Sequence, residues 1–403
     1  MTRRPSHPES LVVPGFLASG VHCGIKDRDP DLALLVSEVP AAAAGVFTKS
    51  TVVGAPVEWC RERARRGRAR AIVVNSGISN VGMGDRGRRD AAAMAAAAAR
   101  RLGCDPEDVF VASTGVIGEP LPMARVRSGI ASAQAGLAAD GLRDAAEAIR
   151  TTDTRAKWAE TTLSLGGRSV RIAGIAKGSG MIEPHMATML SFLLTDAAVS
   201  PAFLRRVLRR VADSTYNRLT IDGETSTSDS VIVLANGLAG HRPIARDGQA
   251  GARRFEDGLA EVAEDLTRQL ARDGEGATRL VSVEVTGARS PNEADRAARR
   301  IANSLLVKTA VFGRDPNWGR ILQTVGAAGV EIRLERAEVR LAGVTVFRRG
   351  SSAGPAARRR AAQRHDDDEI RIEVALGAGR ASARMWTCDL STDYVRINAE
   401  YTT

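Results

Sequence analysis

Short runs of β-branched and aliphatic residues alternate with alanine-rich stretches along the first half of the chain. The runs AIVVNSG (Ala71–Gly77) and DVFVASTGVIG (Asp108–Gly118) have strand character, and AAAMAAAAARRLG (Ala91–Gly103) between them has helical character. Short apolar runs bounded by turn residues are typical of buried strands, whereas longer alanine-rich runs favour helices. This alternation predicts a mixed α/β fold in which sheets are layered with helices.

The second half repeats this alternation. A strand is expected at Val231–Gly237, a helix at Phe255–Gly274, a strand at Val281–Gly287 and a second helix at Asn292–Asn303. Apolar residues of the first helix recur at steps of three and four, which places them on one face: Leu259, Val262, Ala263, Leu266 and Leu270. A β-rich region is expected from residue 331 onward.

One segment of that region breaks the pattern. Residues 347–369, FRRGSSAGPAARRRAAQRHDDDE, are small, polar and charged. Such composition cannot bury much apolar surface. We therefore expect an exposed loop here and a candidate for disorder.

The length and composition are those of a globular chain. It has 403 residues, of which 44% are hydrophobic, enough for two or three units of ordinary size. No apolar run is long enough to cross a membrane. The basic start, MTRRPSHPES, is not followed by the apolar core of a signal peptide, so we expect a cytoplasmic protein. The four cysteines follow no metal or disulfide pattern and are interpreted as reduced, buried residues: Cys23, Cys60, Cys104 and Cys388.

The positive charge is carried almost entirely by arginine. Lys plus Arg number 57 against 47 Asp plus Glu, and only five of the basic residues are lysines. The segment RERARRGRAR (Arg61–Arg70) could contact nucleic acid, but no aromatic residues alternate with its arginines as stacking platforms. A solvated helix face is the favoured interpretation, and no nucleic-acid or membrane partner is expected.

The stretch KGSGMIEPHMATML (Lys177–Leu190) suggests chemistry. Thr188 stands at the start of an apolar run, where a threonine is usually just the first residue of a buried strand. Two glycines and Pro184 precede it, however, so the chain is bent before the strand begins. A strand-initial threonine can attack the carbonyl of Ala187 and release its own α-amine. That amine, with a reference pKa of about 8, can then serve as the base for the hydroxyl.

Such an attack needs donors for the oxyanion that forms. The stretch ASTGVIG offers the hydroxyl of Thr114 and the unobstructed backbone N–H of Gly115. The alternative is a simple strand-ending turn.

Two further polar stretches could suggest cofactor sites. IDGETSTSDS (Ile221–Ser230) contains Asp222, Glu224 and Asp229, but it lacks the order of acids and glycine found in a calcium loop, so a hydrogen-bonded turn near the site is preferred. FGRDPNWGRI (Phe312–Ile321) lacks the GK[ST] of a phosphate loop, and its asparagine and tryptophan are expected to set and pack a turn. We expect neither metal nor cofactor.

Taken together, the ordered motifs are similar to those of the ornithine acetyltransferase family, also called glutamate N-acetyltransferases. The resemblance runs from about residue 10 to the C-terminus. It is carried by AGVFTKS, VVNSG, ASTGVIG, TTDT, KGSGMIEPHMATML, IDGETSTSDS, DGEGATRLV, FGRDPNWGRI and YVRINAEYTT.

The resemblance implies an α/β fold of layered mixed sheets covered by helices, of the N-terminal-nucleophile-like type. It implies cleavage between Ala187 and Thr188 into an α chain (1–187) and a β chain (188–403) that stay together, as an α2β2 assembly. Thr188 would take acetyl from N2-acetylornithine and pass it to glutamate in a ping-pong exchange without a coenzyme. Thr114 and Gly115 match the oxyanion pair. Further residues match substrate-binding positions: Thr151, Lys177, Thr188, Glu275, Asn398 and Thr403.

These assignments have a physical basis. A cation such as Lys177 can neutralise the carboxylate of an acetylated amino acid or favour the unprotonated amine of Thr188. Glu275 can receive an ornithine-type ammonium. In other contexts both would be solvated surface residues, and Asn398 and Thr403 would be residues of a fraying tail.

The sequence departs from the family pattern around the proposed site. Glu183 and His185 replace the usual histidine and asparagine beside the proline, and Ile78 and Met83 stand where an asparagine and a threonine are common. Polar partners in a pocket decide which substrates are rejected. One alternative is therefore a paralogue that acts on another ornithine-like amino acid in specialised metabolism. Two further alternatives are an amidase-like hydrolase that uses the same threonine and a non-catalytic binding protein.

Overall fold

The fold is a mixed α/β architecture built around two sheets. A computed structural model describes residues 11–183, 189–365 and 367–400. Strands of the first sheet are β1 (Phe16–Val21), β2 (Leu32–Phe47), β3 (Arg68–Ile78), β4 (Val109–Val116), β5 (Lys157–Leu165), β6 (Arg168–Lys177), β7 (Leu190–Thr195) and β8 (Ser230–Ala235). Strands of the second are β9 (Leu280–Ala288), β10 (Glu338–Leu341), β11 (Val344–Arg348), β12 (Ser351–Ser352), β13 (Glu369–Ala375) and β14 (Ala381–Cys388).

The helices cover both sheets and their bounds agree with the sequence pattern. The predicted helices at 255–274 and 292–303 are present within three residues of those bounds. The side chains of Ser200, Ser290 and Ser304 cap the N-termini of three helices. No helix within the described ranges is long and apolar enough to span a membrane. The helices are α1 (Ala55–Arg63), α2 (Gly84–Leu102), α3 (Met123–Ala135), α4 (Leu142–Ala148), α5 (Pro201–Ser214), α6 (Ala252–Arg272), α7 (Pro291–Ala302), α8 (Leu305–Phe312), α9 (Trp318–Gly326), α10 (Pro355–Gln363) and α11 (Thr392–Glu400).

The long strand β2 joins two halves of the first sheet. The strand order is β4-β3-β2-β8-β7-β6-β5, and β1 also pairs with β2. Residues Leu32–Val36 pair with β3, and after an irregularity residues Ala42–Phe47 pair with β8. Because β2 belongs to both halves, it fixes the position of β3 and β4 relative to β6, β7 and β8.

Alternate residues of β6–β8 belong to two different cores, as the period of two in a strand requires. One face, including Ile175, Phe192 and Ile232, packs with β1–β4 and helices α1–α4. The other face, including Leu193 and Val233, packs with α5 and α6. The first sheet therefore contributes to buried layers on both sides, which confirms the predicted fold class of layered mixed sheets covered by helices.

The second sheet has its own core. Its order is β12-β11-β10-β13-β9-β14, with β13 and β9 parallel and the other pairs antiparallel. Valine and isoleucine side chains of these strands pack against alanines of α7 and against α8, α9 and α10. The β-rich region expected after residue 331 is thus present, but the last described element is the helix α11 and not a strand.

Most described residues of 347–369 are exposed, as expected, but the expectation of a disorder-prone loop is wrong. The segment completes β11, forms β12 and the helix α10, and leads into β13. Ala357, Ala361 and His365 are buried, because alanines spaced four apart place a small apolar stripe against the sheet while the arginines face solvent. The composition is polar overall, but Ala357 and Ala361 lie on the face of α10 that packs against the second sheet.

Placing a charge on this stripe should destabilise the protein. Ala361→Glu would bury a carboxylate at a fully buried position, and we expect it to lower the free energy of unfolding by about 3 kcal/mol or more. Ala356→Glu, an exposed position in the first turn of the same helix, should change it by less than about 0.5 kcal/mol. Urea denaturation of both variants measures the difference, and equal stabilities would contradict the placement of α10.

The arginine-rich segment 61–70 is also not a solvated helix face. It spans the end of α1, a short turn and the start of β3. Arg63 is buried, stacks over the Trp59 ring at 3.2 Å and donates to Glu107 at 2.6 Å. Arg66 pairs with acids of the same turn before β4. These arginines hold α1 against the region that precedes β4.

The cysteines are all free, as expected, but only two are buried. Cys60 and Cys388 lie in cores, whereas Cys23 and Cys104 are partly exposed. Burial raises the pKa of Cys60 to about 12, so this thiol stays protonated and acts as a small core residue.

Candidate active site

A cavity of about 340 Å³ lies where the ends of β4, β6 and β7 meet the turn before β8. Its wall combines hydroxyl, carboxylate and ammonium groups with a few apolar side chains, and such convergent polar groups can orient a small charged molecule. It is lined by Ser79, Thr114, Gly115, Ile117, Thr151, Thr152, Lys177, Gly180, Met181, Met189, Leu190, Asp222, Glu224, Thr225, Ser226, Thr227, Ser228, Asp229, Glu275, Tyr394 and Asn398.

The structure brings six of the residues predicted from sequence to this one cavity. They come from β4, from the turn after α4, from the end of β6, from the turn after α6 and from α11: Thr114, Gly115, Thr151, Lys177, Glu275 and Asn398. The other three, Ala187, Thr188 and Thr403, lie outside the described residues. Met189 and Leu190, which follow Thr188 directly, line the cavity.

The proposed oxyanion pair lies at an irregular end of two paired strands. Gly115 has φ +124 and pairs with Gly77, which has φ +101. A side chain on Gly115 would place its Cβ 2.3 Å from the carbonyl carbon of Gly77, so only glycine fits. The neighbouring Thr114 hydroxyl accepts a hydrogen bond from Lys177 Nζ at 3.3 Å.

Lys177 is buried, in contrast to an ordinary surface lysine. It ends β6 and pairs with Leu190 of β7, so the strand pairing fixes its position. Leu190 is only two residues after Thr188 in the sequence. Burial lowers the pKa of Lys177, and the positive charge of Lys157 adds to this effect. The carboxylates of Asp153 and Glu275 act in the opposite direction.

Glu275 is held in place from the backbone and from the C-terminal helix. Its N–H donates to the carbonyl of Ser179 at 2.7 Å, and Asn398 Nδ2 donates to its Oε2 at 2.8 Å. A Cβ on Gly180 would lie 2.4 Å from the same carboxylate, so the second glycine of KGSG allows this close approach. Glu275 is only 9% exposed, which distinguishes it from an ordinary loop acid.

The segment 221–230 forms the hydrogen-bonded turn that the sequence favours. Asp222 accepts from the backbone N–H groups of Met181, Ile182 and Glu224 at 2.7–3.2 Å. The hydroxyl of Tyr394 lies 3.4 Å from Asp222, and burial together with nearby carboxylates raises the pKa of Tyr394. In the described part of the chain, no cluster of three or more His, Cys, Asp or Glu residues has an arrangement that could hold a metal ion.

The stretch 312–321 also behaves as expected. Asn317 caps α9 by accepting from the N–H of Arg320 at 3.1 Å, and Trp318 stacks on Phe347 with ring centroids 5.0 Å apart. The asparagine therefore sets the turn into α9, and the tryptophan packs against the second sheet's core.

A buried ionic group beside the cavity was missed by the sequence analysis. Lys157 Nζ donates to Asp153 at 2.6 Å and to Asp273 at 2.5 Å, and all three side chains are at most 3% exposed. We call Asp153, Lys157 and Asp273 the buried triad. Two features of the sequence could have indicated this group: Asp153 belongs to the motif TTDT, and Lys157 is one of only five lysines. Tyr394 also lines the cavity, although the motif YVRINAEYTT that contains it predicts no role for it.

Three of the four departures from the family pattern do not line the cavity. Glu183 is buried and accepts hydrogen bonds from Arg299 at 3.1 Å and Asn303 at 2.5 Å, which directs its carboxylate toward the end of α7. The side chain of Ile78 packs against the core of the first sheet, and Met83 precedes α2. The fourth departure, His185, lies outside the described residues.

Comparison with known proteins gives consistent matches over nearly the whole chain. The model of the ArgJ family matches residues 17–403. The arginine biosynthesis bifunctional protein ArgJ of Symbiobacterium thermophilum is 49% identical over 394 residues, covering 96% of this chain and 97% of the relative. That of Geobacter sulfurreducens is 48% identical over 394 residues, covering 97% and 100%.

A solved structure agrees with these matches. The crystal structure of the arginine biosynthesis bifunctional protein argJ from Bacillus halodurans matches with a TM-score of 0.51 and 41% identity, covering 53% of this chain and 100% of the solved chain. The sequence matches confirm the resemblance that the ordered motifs indicate. This chain belongs to the ArgJ family, the ornithine acetyltransferases.

Proposed function

We propose that this protein is an acetyltransferase of arginine biosynthesis that moves the acetyl group of N2-acetylornithine to glutamate. The observation that carries the proposal is the single cavity in which Thr114, Gly115, Lys177 and Glu275 converge directly beside Met189. The names of the ArgJ relatives, which place them in arginine biosynthesis, support it.

The charges of the cavity suit an amino acid with two charged groups. Lys177 provides a cation for a carboxylate, and Asp222, Glu224 and Glu275, which line the same cavity, provide acceptors for the side-chain ammonium of ornithine. Because Glu275 and Asp222 are already positioned by hydrogen bonds, little ordering is needed when the substrate binds. Since three of the four departures lie away from the cavity wall, we favour the arginine pathway over a paralogue acting on another substrate.

We propose that the chain first cuts itself. The hydroxyl oxygen of Thr188 bonds to the carbonyl carbon of Ala187 as the peptide C–N bond breaks, and water then hydrolyses the resulting ester. The products are a carboxylate on Ala187 and a free amine on Thr188. Both residues lie outside the described part, so this proposal depends on the sequence motif and on the groups around it.

Two observations support cleavage into 1–187 and 188–403. Strands β6 and β7, one on each side of the proposed cut, pair along Ile172–Lys177, so the two pieces would stay associated through the sheet. In addition, the match to the solved Bacillus halodurans structure spans all of that chain but only 53% of this one, or about 214 residues, so the solved chain is close in length to one proposed fragment. The segment 188–403 has 216 residues, by subtraction of 187 from 403.

Acetyl transfer then follows with the same hydroxyl. The Thr188 oxygen attacks the acetyl carbonyl, the amide C–N bond breaks, and the leaving ornithine nitrogen takes the proton that the Thr188 amine removed from the hydroxyl. The Gly115 N–H and the Thr114 hydroxyl would stabilise the oxyanion of each tetrahedral intermediate. The glutamate amine next attacks the acetyl ester, forming N-acetylglutamate and restoring the hydroxyl.

An assay with and without glutamate tests the function. Incubation with N2-acetylornithine and glutamate should produce ornithine and N-acetylglutamate in equal amounts, and ornithine release should fall to a small fraction when glutamate is omitted. Ornithine release that is independent of glutamate would instead identify a hydrolase. No product and no acyl-enzyme would indicate a binding protein.

The assembly and location are also proposed. An α2β2 assembly is expected from the family. Helix α8 carries Leu305 and Leu306, which are 67% and 53% exposed, so apolar surface is present that a second copy could cover. A cytoplasmic location remains a prediction from the sequence.

A further inference from the structure

The carboxylate of Asp153 contacts two separate segments of the cavity wall. Its Oδ2 accepts from the N–H of Thr151 at 3.0 Å, and its Oδ1 accepts from the N–H of Gly178 at 2.6 Å. Thr151 and Lys177, which precedes Gly178, are both proposed substrate-binding residues. One buried carboxylate thus fixes the backbone at both of them.

The same Asp153 oxygen that contacts Gly178 also accepts from Lys157 Nζ. A buried carboxylate is costly unless a charge offsets it. Lys157 provides this charge, since it is fully buried and its ammonium lies between Asp153 and Asp273. Burial alone would raise the pKa of Asp153, but the ammonium groups of Lys157 and Lys177 hold it below its usual range, so Asp153 is ionised.

The triad also reaches the segment that carries Glu275. Asp273 Oδ2 accepts from the N–H of Thr154 at 3.1 Å, and the Thr154 hydroxyl donates to its other oxygen. Asp273 lies two residues before Glu275 and belongs to 188–403, whereas Asp153, Thr154 and Lys157 belong to 1–187. After the proposed cleavage, the triad would therefore join the two chains beside the cavity.

We infer that Asp153 is a positioning residue for substrate binding: it holds Thr151 and Lys177 toward the cavity, with Lys157 neutralising its buried charge. This inference rests on the proposed function. Asp153 does not line the cavity and acts only through the residues that it holds. Its negative charge also stabilises the protonated form of Lys177, the form that can bind a carboxylate.

The isosteric variant Asp153→Asn tests the inference. It leaves Lys157 and Asp273 as a neutral pair, so the fold should be retained, but it loses the acceptor for Thr151 and the charge beside Lys177. We expect the KM for N2-acetylornithine to rise about tenfold while kcat stays within about threefold. Because loss of a neighbouring anion lowers the pKa of Lys177, the alkaline limb of kcat/KM should move to lower pH by about one unit.

A direct measurement separates this inference from the proposed activity. The chain has only five lysines, so labelling with ¹³Cε-lysine gives few signals, and the signal absent from Lys177→Met identifies Lys177. Its NMR titration midpoint should be lower in Asp153→Asn than in the wild type by about one pH unit. The charged groups that face Lys177 are Lys26, Asp153, Lys157, Asp229 and Glu275.

Two other variants serve as comparisons. Asp196→Asn alters a buried carboxylate that accepts from the N–H of Arg171, toward the opposite end of β6, and should leave both KM and the titration unchanged. Asp273→Asn leaves the Asp153–Lys157 pair intact, so it should raise KM less than Asp153→Asn and should not lower the titration midpoint. If Asp153→Asn does not fold, the KM for N2-acetylornithine and the Lys177 titration midpoint are measured in Asp273→Asn instead. A tenfold rise in KM in Asp273→Asn would overturn the role of Asp153.

The inference is also overturned if folded Asp153→Asn keeps the wild-type KM and the wild-type titration of Lys177. If the wild type transfers no acetyl group, the proposed function fails, but the NMR titration still shows whether Asp153 controls Lys177.

Discussion

Thr188→Ala should leave the chain uncut and abolish acetyl transfer. Without the hydroxyl, no ester with Ala187 can form, so no free amine is released on residue 188. Removal of a nucleophile typically lowers kcat by several orders of magnitude, and here we expect a loss of at least about 10⁴-fold. Intact-mass analysis should show one full-length chain for the variant and two fragments, 1–187 and 188–403, for the wild type.

Thr188→Ser is the matched control. It keeps a hydroxyl at the same position, so it should still cut itself, more slowly, and retain measurable transfer. A wild-type enzyme that turns over while its chain remains whole would contradict the self-cleavage mechanism. Cleavage of Thr188→Ala at the same bond and rate would contradict the assignment of the nucleophile.

Thr114→Val should reduce kcat by about 10²- to 10³-fold, the usual effect of losing one oxyanion donor. Valine keeps the shape of threonine at this strand position but cannot donate to an oxyanion. It also cannot accept from Lys177 Nζ, which lies 3.3 Å from the Thr114 hydroxyl. Since the oxyanion develops only as the acetyl carbonyl is attacked and is absent from the bound substrate, kcat should fall much more than the KM for N2-acetylornithine rises. Steady-state kinetics of the mature enzyme measures both.

Thr114→Ser restores the hydroxyl and should recover most of the lost kcat. Both variants should unfold at similar denaturant concentrations, because residue 114 is only partly buried at the end of β4. A large rise in KM with kcat unchanged would contradict the oxyanion role and would assign the Thr114 hydroxyl to ground-state binding instead. If cleavage also slows in Thr114→Val, the same hydroxyl serves both the self-cutting step and the transfer step.

Much of the site was predictable because its residues lie in short, chemically distinctive motifs. Thr114 and Gly115 follow a strand-like run, and the two glycines and Lys177 precede another, so turn chemistry and strand ends mark both. Helix α6 was predictable because its apolar residues recur with a helical period and face a core. The ordered set of motifs predicted the family, which the comparisons confirm.

Other features were not predictable because they depend on distant contacts. Helix α10 has a strongly polar composition. Only its packing against the second sheet shows that Ala357 and Ala361, and His365 just after the helix, are buried. Arg63 is buried because it stacks over Trp59 and pairs with Glu107, and Glu107 is 44 residues away in sequence. Local pattern carries no information about such partners.

The sequence by itself determined the alternation of strands and helices, the family and the types of residue that the proposed chemistry requires. Each of these depends on local periodicity or on the order of short motifs. Only the tertiary structure decided that Lys177 and Glu275 are buried in one cavity, and that Lys157 lies between Asp153 and Asp273, 116 residues from the latter. The physical reason is that burial and charge pairing are set by segments far apart in the chain, which meet only when the sheet and its helices have assembled.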